Sequence, residues 1–210
     1  MNNSQDRVFI VDDDEAVLDA LAMLLETAGY TVAAFQGAEK FLEACTPESH
    51  GCVILDVDMP GMDGPSLQQE LIRRNVQLPV IFLSGHGTIP TTVRTIKAGA
   101  LDFLTKPVDG SVLLARVQDA LKESARLCKQ TEERQSANSR LKALTERENE
   151  VMKLAITGYT SKEIAQRLSI SYRTVEIHRA HIMQKTGASN LLELARIASA
   201  VESPSPQKNT

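Results

Sequence analysis

The first 120 residues alternate between short apolar runs and longer segments in which apolar residues recur at helical spacing. In DEAVLDALAMLLETAG, for example, the apolar residues Val17, Leu18, Leu21, Leu24 and Leu25 recur at helical spacing. The predicted strands are RVFIVDD, YTVAAF, CVILD, LPVIFLSG and LDFLTKP. The helices predicted to follow them are DEAVLDALAMLLETAG, GAEKFLEACT, GPSLQQELIRRN, TIPTTVRTIKAGA and VDGSVLLARVQDALKESARL. Five β–α repeats with short connections predict an α/β fold, a doubly wound parallel sheet with helices on both faces.

A polar and charged segment from about residue 116 to residue 140 follows the repeats, and it contains neither Pro nor Gly. Because it keeps few apolar residues, we expect a mostly solvated helix that acts as a linker. A short coiled coil is the alternative, but no heptad pattern is sustained along the segment.

The region from residue 141 to residue 201 has the pattern of four helices and no strand. Its helix signals are the capping-box pairs Thr145–Glu148 and Thr160–Glu163, the N-caps Ser171 and Asn190, and Gly187 as a stop. The last residues, ESPSPQKNT, have the composition of a disordered tail. These patterns predict an α/β domain at 1–122, a helical linker at 123–140, an all-α four-helix domain at 141–201 and a tail at 202–210.

The net charge of −4 is unevenly distributed between the predicted domains. Residues 1–139 carry −8, whereas residues 140–200 carry +4. An acidic N-terminal part and a basic C-terminal part indicate two domains with different partners.

Composition adds three further expectations. No run of 18 apolar residues is present, so we expect no membrane span, and MNNSQDR lacks the features of a signal peptide. The odd set of three cysteines, without CxxC spacing, fits a reducing cytoplasm. We expect these cysteines to be small apolar side chains rather than metal ligands.

Polar residues stand at the ends of four predicted strands. Because parallel strands present their carboxyl ends at one edge of the sheet, these residues are expected to converge there. They are Asp12, Asp13 and Asp14 after the first strand, Asp56 after the third, Ser84 after the fourth and Lys106 after the fifth.

A carboxylate cluster of this kind suits Mg²⁺, which prefers hard oxygen ligands. Asp12, Asp13 and Asp56 are the candidate ligands, and the ion would relieve their mutual repulsion. Lys106 would place a second positive charge opposite the cation, and Ser84 would donate to a phosphoryl oxygen. One carboxylate could then attack phosphorus in line and become an acyl phosphate.

Some of the acidic residues have a simpler explanation, and a calcium loop is a further alternative. Asp14 and Glu15 are better explained as acids at a helix N-terminus, where the helix dipole favours them. A calcium loop in DVDMPGMDG fails twice, because Pro60 stands where an acid or Asn is needed and Leu67 where Glu is needed.

The string TSKEIAQRLSISYRTVEIHRAHIMQKTG has the layout of two helices joined by a short turn. The second helix would fit the DNA major groove, where Glu176 would accept from cytosine and Ile177 or Ala180 would touch a thymine methyl group. A solvated helix pair within a bundle is the alternative. The candidate DNA contacts are Lys162, Arg173, Thr174, Glu176, Ile177, Arg179, Ala180 and Lys185.

Four motifs in order, VFIVDDDEAV, CVILDVDMPGMDG, VIFLSGHG and DFLTKP, resemble the receiver domain of response regulators over residues 6–125. The resemblance implies that Asp56 is the phosphoacceptor for a histidine kinase. It implies that Asp12 and Asp13 hold Mg²⁺ together with Asp56, and that the carbonyl group of Asp58 completes the metal site.

The same resemblance implies a switch. Ser84 and Phe103 would couple phosphorylation to a surface change, with the hydroxyl moving toward the phosphoryl group and the ring turning inward. Lys106 would pair with the phosphoryl group, and the Lys106–Pro107 bond would be cis. Many family members have Thr where this chain has Ser84, which keeps the hydroxyl. A plain core aromatic is the alternative for Phe103.

The C-terminal string LTERENEVMKLAITGYTSKEIAQRLSISYRTVEIHRAHIMQKTG resembles the LuxR-type helix-turn-helix domain over residues 141–200. The whole chain is thus similar to response regulators of the FixJ/NarL family, and within it to FixJ-like and StyR-like members. That resemblance implies promoter DNA and RNA polymerase as partners, a homodimer when phosphorylated and control of transcription, usually activation.

The sequence offers two alternative functions. An acidic pocket with Mg²⁺ and an aspartyl nucleophile could belong to a phosphatase, but the sequence has no signature of a substrate pocket and no obvious general acid. A constitutive DNA-binding protein would not need Asp13, Asp56, Ser84 and Lys106 together at strand ends. We therefore expect a phosphorylation-gated transcription factor rather than an enzyme.

Overall fold

A computed structural model of the chain describes residues 7–85 and 89–202, which form two compact units that divide between Cys128 and Lys129. The first unit is built on five parallel strands in the order β2-β1-β3-β4-β5. Its elements are β1 (Arg7–Asp12), α1 (Glu15–Thr27), β2 (Thr31–Gln36), α2 (Ala38–Ala44), β3 (Cys52–Asp56), α3 (Gly64–Arg73), β4 (Val80–Ser84), α4 (Ile89–Lys97), β5 (Asp102–Thr105) and α5 (Gly110–Lys142). The predicted five-stranded α/β sheet is confirmed, and its order is the flavodoxin-like one.

The apolar runs of the central strands are explained by burial on both faces. Every residue of β3 and β4 is buried. Val53 and Leu55 pack with residues of α2 and α3, whereas Cys52 and Ile54 pack with residues of α1 and α5. This follows from the strand period of two, which sends successive side chains to opposite faces.

The strand order fixes where a site can form. β1 lies between β2 and β3, so the direction of winding reverses at the pair β1–β3. Asp12 and Asp56 are the last residues of these two strands. In open α/β sheets such a reversal opens a crevice at the carboxyl ends of the strands, which is where both carboxylates lie.

Helix α5 continues through the segment predicted as a helical linker and ends at Lys142. In the first unit it is tied to the sheet by Ser124, a buried residue whose hydroxyl accepts a hydrogen bond from the backbone N–H of Gly51 at 3.1 Å.

Cys45 and Cys52 are buried and reduced, as expected of small apolar side chains, while Cys128 is half-buried near His50.

The second unit contains helices α6 (Glu146–Ile156), α7 (Ser161–Leu168), α8 (Tyr172–Thr186) and α9 (Leu191–Glu202), in addition to the end of α5. Both predicted capping boxes are present, Ser171 caps α8 and Gly187 ends it. Asn190 accepts from the N–H of Glu193 at the start of α9. The core of this unit is formed by residues such as Val151, Ile164, Val175, Ile182 and Leu194.

Most of the predicted tail, from residue 203 onward, lies outside the described residues. Within the described parts of the chain, no helix is long and apolar enough to cross a membrane.

Gly51, just before β3, has a φ of +126°, and a Cβ atom there would lie 1.9 Å from the carbonyl oxygen of Arg7. We expect Gly51→Ala to lower the free energy of unfolding by about 3 kcal/mol, because backbone strain and a backbone clash add. The matched control is Gly29→Ala, where φ is +91° but nothing lies within 4 Å, so that only strain of about 1 kcal/mol is expected. Urea denaturation measures the free energy of unfolding of both variants. Equal losses of stability would contradict the backbone clash expected at Gly51.

Candidate functional sites

The crevice at the β1–β3 reversal contains two carboxylates that share one cation. The ammonium group of Lys106 lies 2.6 Å from Oδ2 of Asp12 and 2.5 Å from Oδ1 of Asp56. Asp12 is only 2% exposed and Asp56 only 6%. Two carboxylates buried this closely would repel each other, so Lys106 supplies the charge that makes their coexistence favourable.

Backbone N–H groups hold the remaining oxygen of each carboxylate. Asp12 Oδ1 accepts from the N–H of Asp14 at 3.0 Å, and Asp56 Oδ2 accepts from the N–H of Asp58 at 2.7 Å. In each case the N–H group belongs to the residue two positions after the carboxylate, so the loop that follows the strand folds back onto the last side chain of that strand. The two side chains are therefore fixed in orientation before any ligand binds.

The pKa of Lys106 reflects this double pairing. Burial opposes the charged form, but hydrogen bonds to Asp12 and Asp56 outweigh burial and raise the pKa above its ordinary value. The side chain thus stays protonated over the physiological range and acts as a fixed positive charge in the pocket.

The acids predicted to bind a metal are not all in one cluster. The side chain of Asp13 is exposed, and among the described residues no group of three or more His, Cys, Asp or Glu is arranged to hold a metal ion. Asp14 caps α1 by accepting from the N–H of Ala16, in agreement with its interpretation as a helix-start residue.

The donor set is nevertheless chemically compatible with Mg²⁺. Asp12 and Asp56 present hard carboxylate oxygens in the pocket, and the exposed residue Asp13 directly follows Asp12 in the chain. Mg²⁺ keeps several waters and needs only one or two protein carboxylates. The partly exposed, oxygen-rich rim fits an ion of this kind.

The predicted switch residues lie on the two strands beyond Asp56. Ser84, the last residue of β4, is buried, and its carbonyl oxygen accepts from the N–H of Lys106 at 2.8 Å. Phe103 of β5 is half-buried, with its ring centroid 6.2 Å from that of Phe82. The Lys106–Pro107 bond is cis, as the resemblance implied.

Sequence reasoning missed the role of Gly64, the first residue of α3. A Cβ atom at this position would lie 2.2 Å from the carbonyl oxygen of Asp56, so only Gly allows α3 to begin against the end of β3. The N–H of Gly64 donates to the carbonyl group of Val57. The Asp63–Gly64–Pro65 string, a helix-start signal directly after a strand-end loop, was the available clue.

An apolar cleft of about 550 Å³ adjoins the pocket on the α1 side. Lys106 and Pro107 form part of its wall, so the cleft and the carboxylate pocket share a residue. The other lining residues are Ala16, Val17, Ala20, Leu21, Leu83 and Val108.

In the second unit, α8 has one buried and one exposed side. Val175, Ile182 and Thr186 face the core. The candidate base contacts Glu176, Ile177 and Ala180 are exposed, with Ile177 exposed to 48%. Such exposure of a large apolar residue on the second helix of a helix–turn–helix pair is what a groove-reading surface requires.

The predicted phosphate contacts differ in their surroundings. Lys162 and Arg173 are exposed, whereas Arg179 is half-buried and donates to the hydroxyl of Ser161 on α7 at 3.3 Å. Lys185 lies 2.7 Å from a carboxylate oxygen of Glu148 on α6. Thr174 is half-buried in the first turn of α8, where its N–H donates to the N-cap Ser171.

Comparisons with known proteins agree with both halves of this description. The family model of the response regulator receiver domain matches residues 8–118, and that of the bacterial regulatory proteins of the luxR family matches residues 142–198. Over 191 residues the chain is 41% identical to the transcriptional regulatory protein FixJ of Azorhizobium caulinodans, with coverage of 91% of this chain and 90% of that protein. The chain belongs to the FixJ-like response regulators.

Two further similarities extend over almost the whole chain. The regulator is 42% identical over 201 residues to the response regulator protein TmoT of Ectopseudomonas mendocina, covering 94% of this chain and 90% of that protein. A solved structure of the response regulator StyR superposes with a TM-score of 0.83 at 40% identity, covering 93% of this chain and 99% of that chain.

Family membership establishes the general function. The chain is a two-component response regulator with a receiver domain and a LuxR-type DNA-binding domain, and it is a transcriptional regulator rather than an enzyme. A receiver domain implies a histidine kinase as partner, and the C-terminal domain implies DNA.

We expect Lys106→Met to lower the free energy of unfolding at neutral pH by about 3 kcal/mol, because it leaves two nearly buried carboxylates without their cation. The control is Lys122→Met, which removes an exposed pair with Asp119 at 3.3 Å and should cost less than about 1 kcal/mol. Chemical denaturation of both variants provides the comparison. A Lys106 variant as stable as the control would mean that the pocket does not depend on this pairing.

Proposed function

We propose that Asp56 accepts a phosphoryl group from a histidine kinase and that this modification controls binding of the regulator to promoter DNA. The observation that carries the proposal is the position of Lys106 between the carboxylates of Asp12 and Asp56. A fixed cation beside a nearly buried carboxylate is suited to receive a phosphoryl group, whose oxygens carry negative charge.

The chemical step follows from this geometry. A carboxylate oxygen of Asp56 attacks phosphorus in line and forms a P–O bond, while the P–N bond of the kinase phosphohistidine breaks and its electron pair returns to the imidazole. Lys106 offsets the charge on the equatorial oxygens, and the hydroxyl of Ser84 would donate to one of them. The product is an acyl phosphate on Asp56.

Mg²⁺ is the cofactor proposed for this step, held by Asp12, Asp13 and Asp56 and by the carbonyl group of Asp58. When bound, it would neutralise phosphoryl charge that Lys106 alone does not balance. The exposed position of Asp13 supports entry of a hydrated ion at the rim.

The proposed output surface runs from residue 91 on α4 to Phe103 on β5. Val93, Ile96 and Leu101 on this surface are exposed to 46%, 40% and 39%. Apolar side chains grouped at this exposure support a contact with a second copy of the chain. We propose that the phosphorylated receiver dimerises here, with the inward turn of Phe103 changing the surface.

DNA recognition is assigned to α8. We propose that Glu176, Ile177 and Ala180 read base edges, whereas Lys162, Arg173 and Arg179 contact phosphates.

The domain limits proposed are 1–122 for the receiver, 123–140 for the linker and 141–201 for the DNA-binding domain. RNA polymerase would be the target of the activated dimer.

The central experiment exposes the regulator to Mg²⁺ and a small phosphodonor. We expect the parent to gain the mass of one phosphoryl group, to shift toward dimer and to bind operator DNA more tightly. Asp56→Asn should keep the fold and show none of these changes. Intact-mass spectrometry, light scattering and DNA titration provide the three readouts.

Asp58→Asn is the matched control, because it makes the same isosteric change two residues away on an exposed side chain while keeping the carbonyl group. It should be phosphorylated like the parent. A full response of Asp56→Asn to the donor would refute the assignment of Asp56. Unchanged DNA affinity of the phosphorylated parent would instead favour a constitutive DNA-binding protein.

The apolar cleft beside the pocket provides a test of the kinase as partner. We propose that the kinase docks in this cleft, where Ala20 is exposed at the wall. We expect Ala20→Glu to slow phosphotransfer from the cognate kinase about tenfold or more, through a buried charge at the interface, and to leave phosphorylation by a small donor unchanged. Equal rates from the kinase for parent and variant would place its docking surface elsewhere.

A further inference from the structure

Glu148 is a nearly buried carboxylate in the DNA-binding unit that neither the pocket chemistry nor the proposed base contacts use. It is 4% exposed and sits in the first turn of α6. Its Oε2 accepts from the N–H of Thr145 at 2.8 Å and from the ammonium group of Lys185 at 2.7 Å. His181 on α8 approaches its other oxygen, Oε1, at 3.8 Å. One side chain therefore both caps α6 and contacts α8.

The second capping box of the same unit shows what capping alone requires. Glu163 accepts from the N–H of Thr160 at 2.7 Å and from its hydroxyl at 2.8 Å. That carboxylate is exposed, and the hydrogen bonds it makes are to Thr160. Burial and the bond to Lys185 are thus features of Glu148 beyond the capping role, and they need a separate explanation.

The contact with Glu148 involves the last two turns of α8, where Lys185 donates to Oε2 and His181 lies 3.8 Å from Oε1. Near the middle of α8, Arg179 donates to Ser161 on α7. In the last turn, Lys185 pairs with Glu148 on α6. These polar contacts and the buried side chains of Val175 and Ile182 fasten α8 to α6 and α7, and Arg140 on α5 adds a hydrogen bond to the carbonyl group of Thr186 at 3.5 Å. The exposed residues Ile177 and Ala180 lie within two residues of Arg179, on the helix that these contacts hold.

We propose that Glu148 and Lys185 are positioning residues for DNA recognition, which hold α8 at the angle its base contacts require, and that Lys185 does not act as a phosphate contact. This inference rests on the proposed function of α8 as the helix that reads DNA. It differs from the sequence-based hypothesis, in which Lys185 was counted among the residues that touch phosphates.

The physical argument is the cost of separating the pair. A carboxylate that is nearly buried and bonded to an ammonium group loses its counter-charge if the lysine turns to a DNA phosphate. Hydrogen bonding from Lys185, followed by that from the N–H of Thr145, lowers the pKa of Glu148 to about 2, so the carboxylate is charged at neutral pH. A phosphate would have to compete with a preformed contact, whereas exposed Arg173 needs no such exchange.

The two roles predict different dependence on salt and sequence. Loss of a phosphate contact weakens binding to every DNA and lowers the slope of log affinity against log salt by about 1. Loss of a positioning contact weakens binding to the specific site while leaving the slope and the affinity for unrelated DNA unchanged, because the phosphate contacts are all kept and carry no sequence information.

The experiment uses the full-length phosphorylated regulator and an operator selected with it from random duplexes. The variants are Glu148→Gln, Lys185→Met, their combination and Lys185→Arg, with Glu163→Gln as the capping control and Arg173→Met as the phosphate-contact control. Affinities for operator and scrambled duplex are titrated over a salt series, well below the melting temperature of each variant. Melting curves verify that each is folded.

We expect Glu148→Gln and Lys185→Met each to weaken operator binding about tenfold, with the double variant no worse than either, because they remove one contact. Scrambled-duplex affinity and salt slope should match the parent. Lys185→Arg and Glu163→Gln should bind like the parent, whereas Arg173→Met should lower the slope by about 1.

Two results would overturn the inference while leaving α8 as the reading helix. One is a lower salt slope in Lys185→Met with unchanged binding by Glu148→Gln, which would make Lys185 a phosphate contact. The other is an operator affinity equal to that of the parent in both Glu148→Gln and Lys185→Met, which would mean that the pair contributes only to folding. Failure of the parent to select any DNA sequence would instead overturn the proposed function, and the inference with it.

Discussion

The receiver pocket depends on one interaction, the sharing of the Lys106 ammonium group by Asp12 and Asp56. Two carboxylates at adjacent strand ends, both nearly buried, would otherwise repel in a region where water screens little. The strand order makes the sharing possible, because Lys106 follows β5 and must reach past the end of β4 to the pair β1–β3. The carbonyl group of Ser84 at that end fixes the backbone of Lys106. A long, flexible side chain anchored at its base is therefore what joins three strands into one site.

The DNA-binding unit uses the same physical solution for a different purpose. Glu148 is also a nearly buried carboxylate paired with a lysine from another element. In the receiver, the pair lies at an open rim beside a cleft, where a ligand can take part in the balance of charge. The carboxylate of Glu148 is similarly buried, and the N–H of Thr145 and the ammonium group of Lys185 both donate to its Oε2. The adjoining cleft, rather than the degree of burial, thus distinguishes the receiver pair from the pair that is proposed to position α8.

The sequence predicted the five strands, the helix caps and the convergence of Asp12, Asp56, Ser84 and Lys106, because apolar runs and capping pairs are local signals. It did not reveal which oxygen of each carboxylate Lys106 would take, since that depends on packing across three strands. Gly64 was missed because its close approach to the Asp56 carbonyl group is a contact between elements. Lys185 was assigned to phosphates on its charge alone, because its partner Glu148 stands 37 residues earlier in the chain and the pairing leaves no local signal.

The position of the proposed switch residues explains how a local charge could alter the receiver surface. An acyl phosphate on Asp56 would carry about −1.5 to −2 charges in place of the single negative charge of the carboxylate, beside a lysine that already serves two carboxylates. The groups able to respond lie toward β5, an edge strand paired only with β4. Phe103 on that strand is half-buried, so its ring can turn without opening the fully buried core around Phe82. The equilibrium between the inactive and active receiver conformations shifts only by the difference in free energy with which each conformation accommodates the new charge. Because β5 is an edge strand, rearranging it costs little free energy.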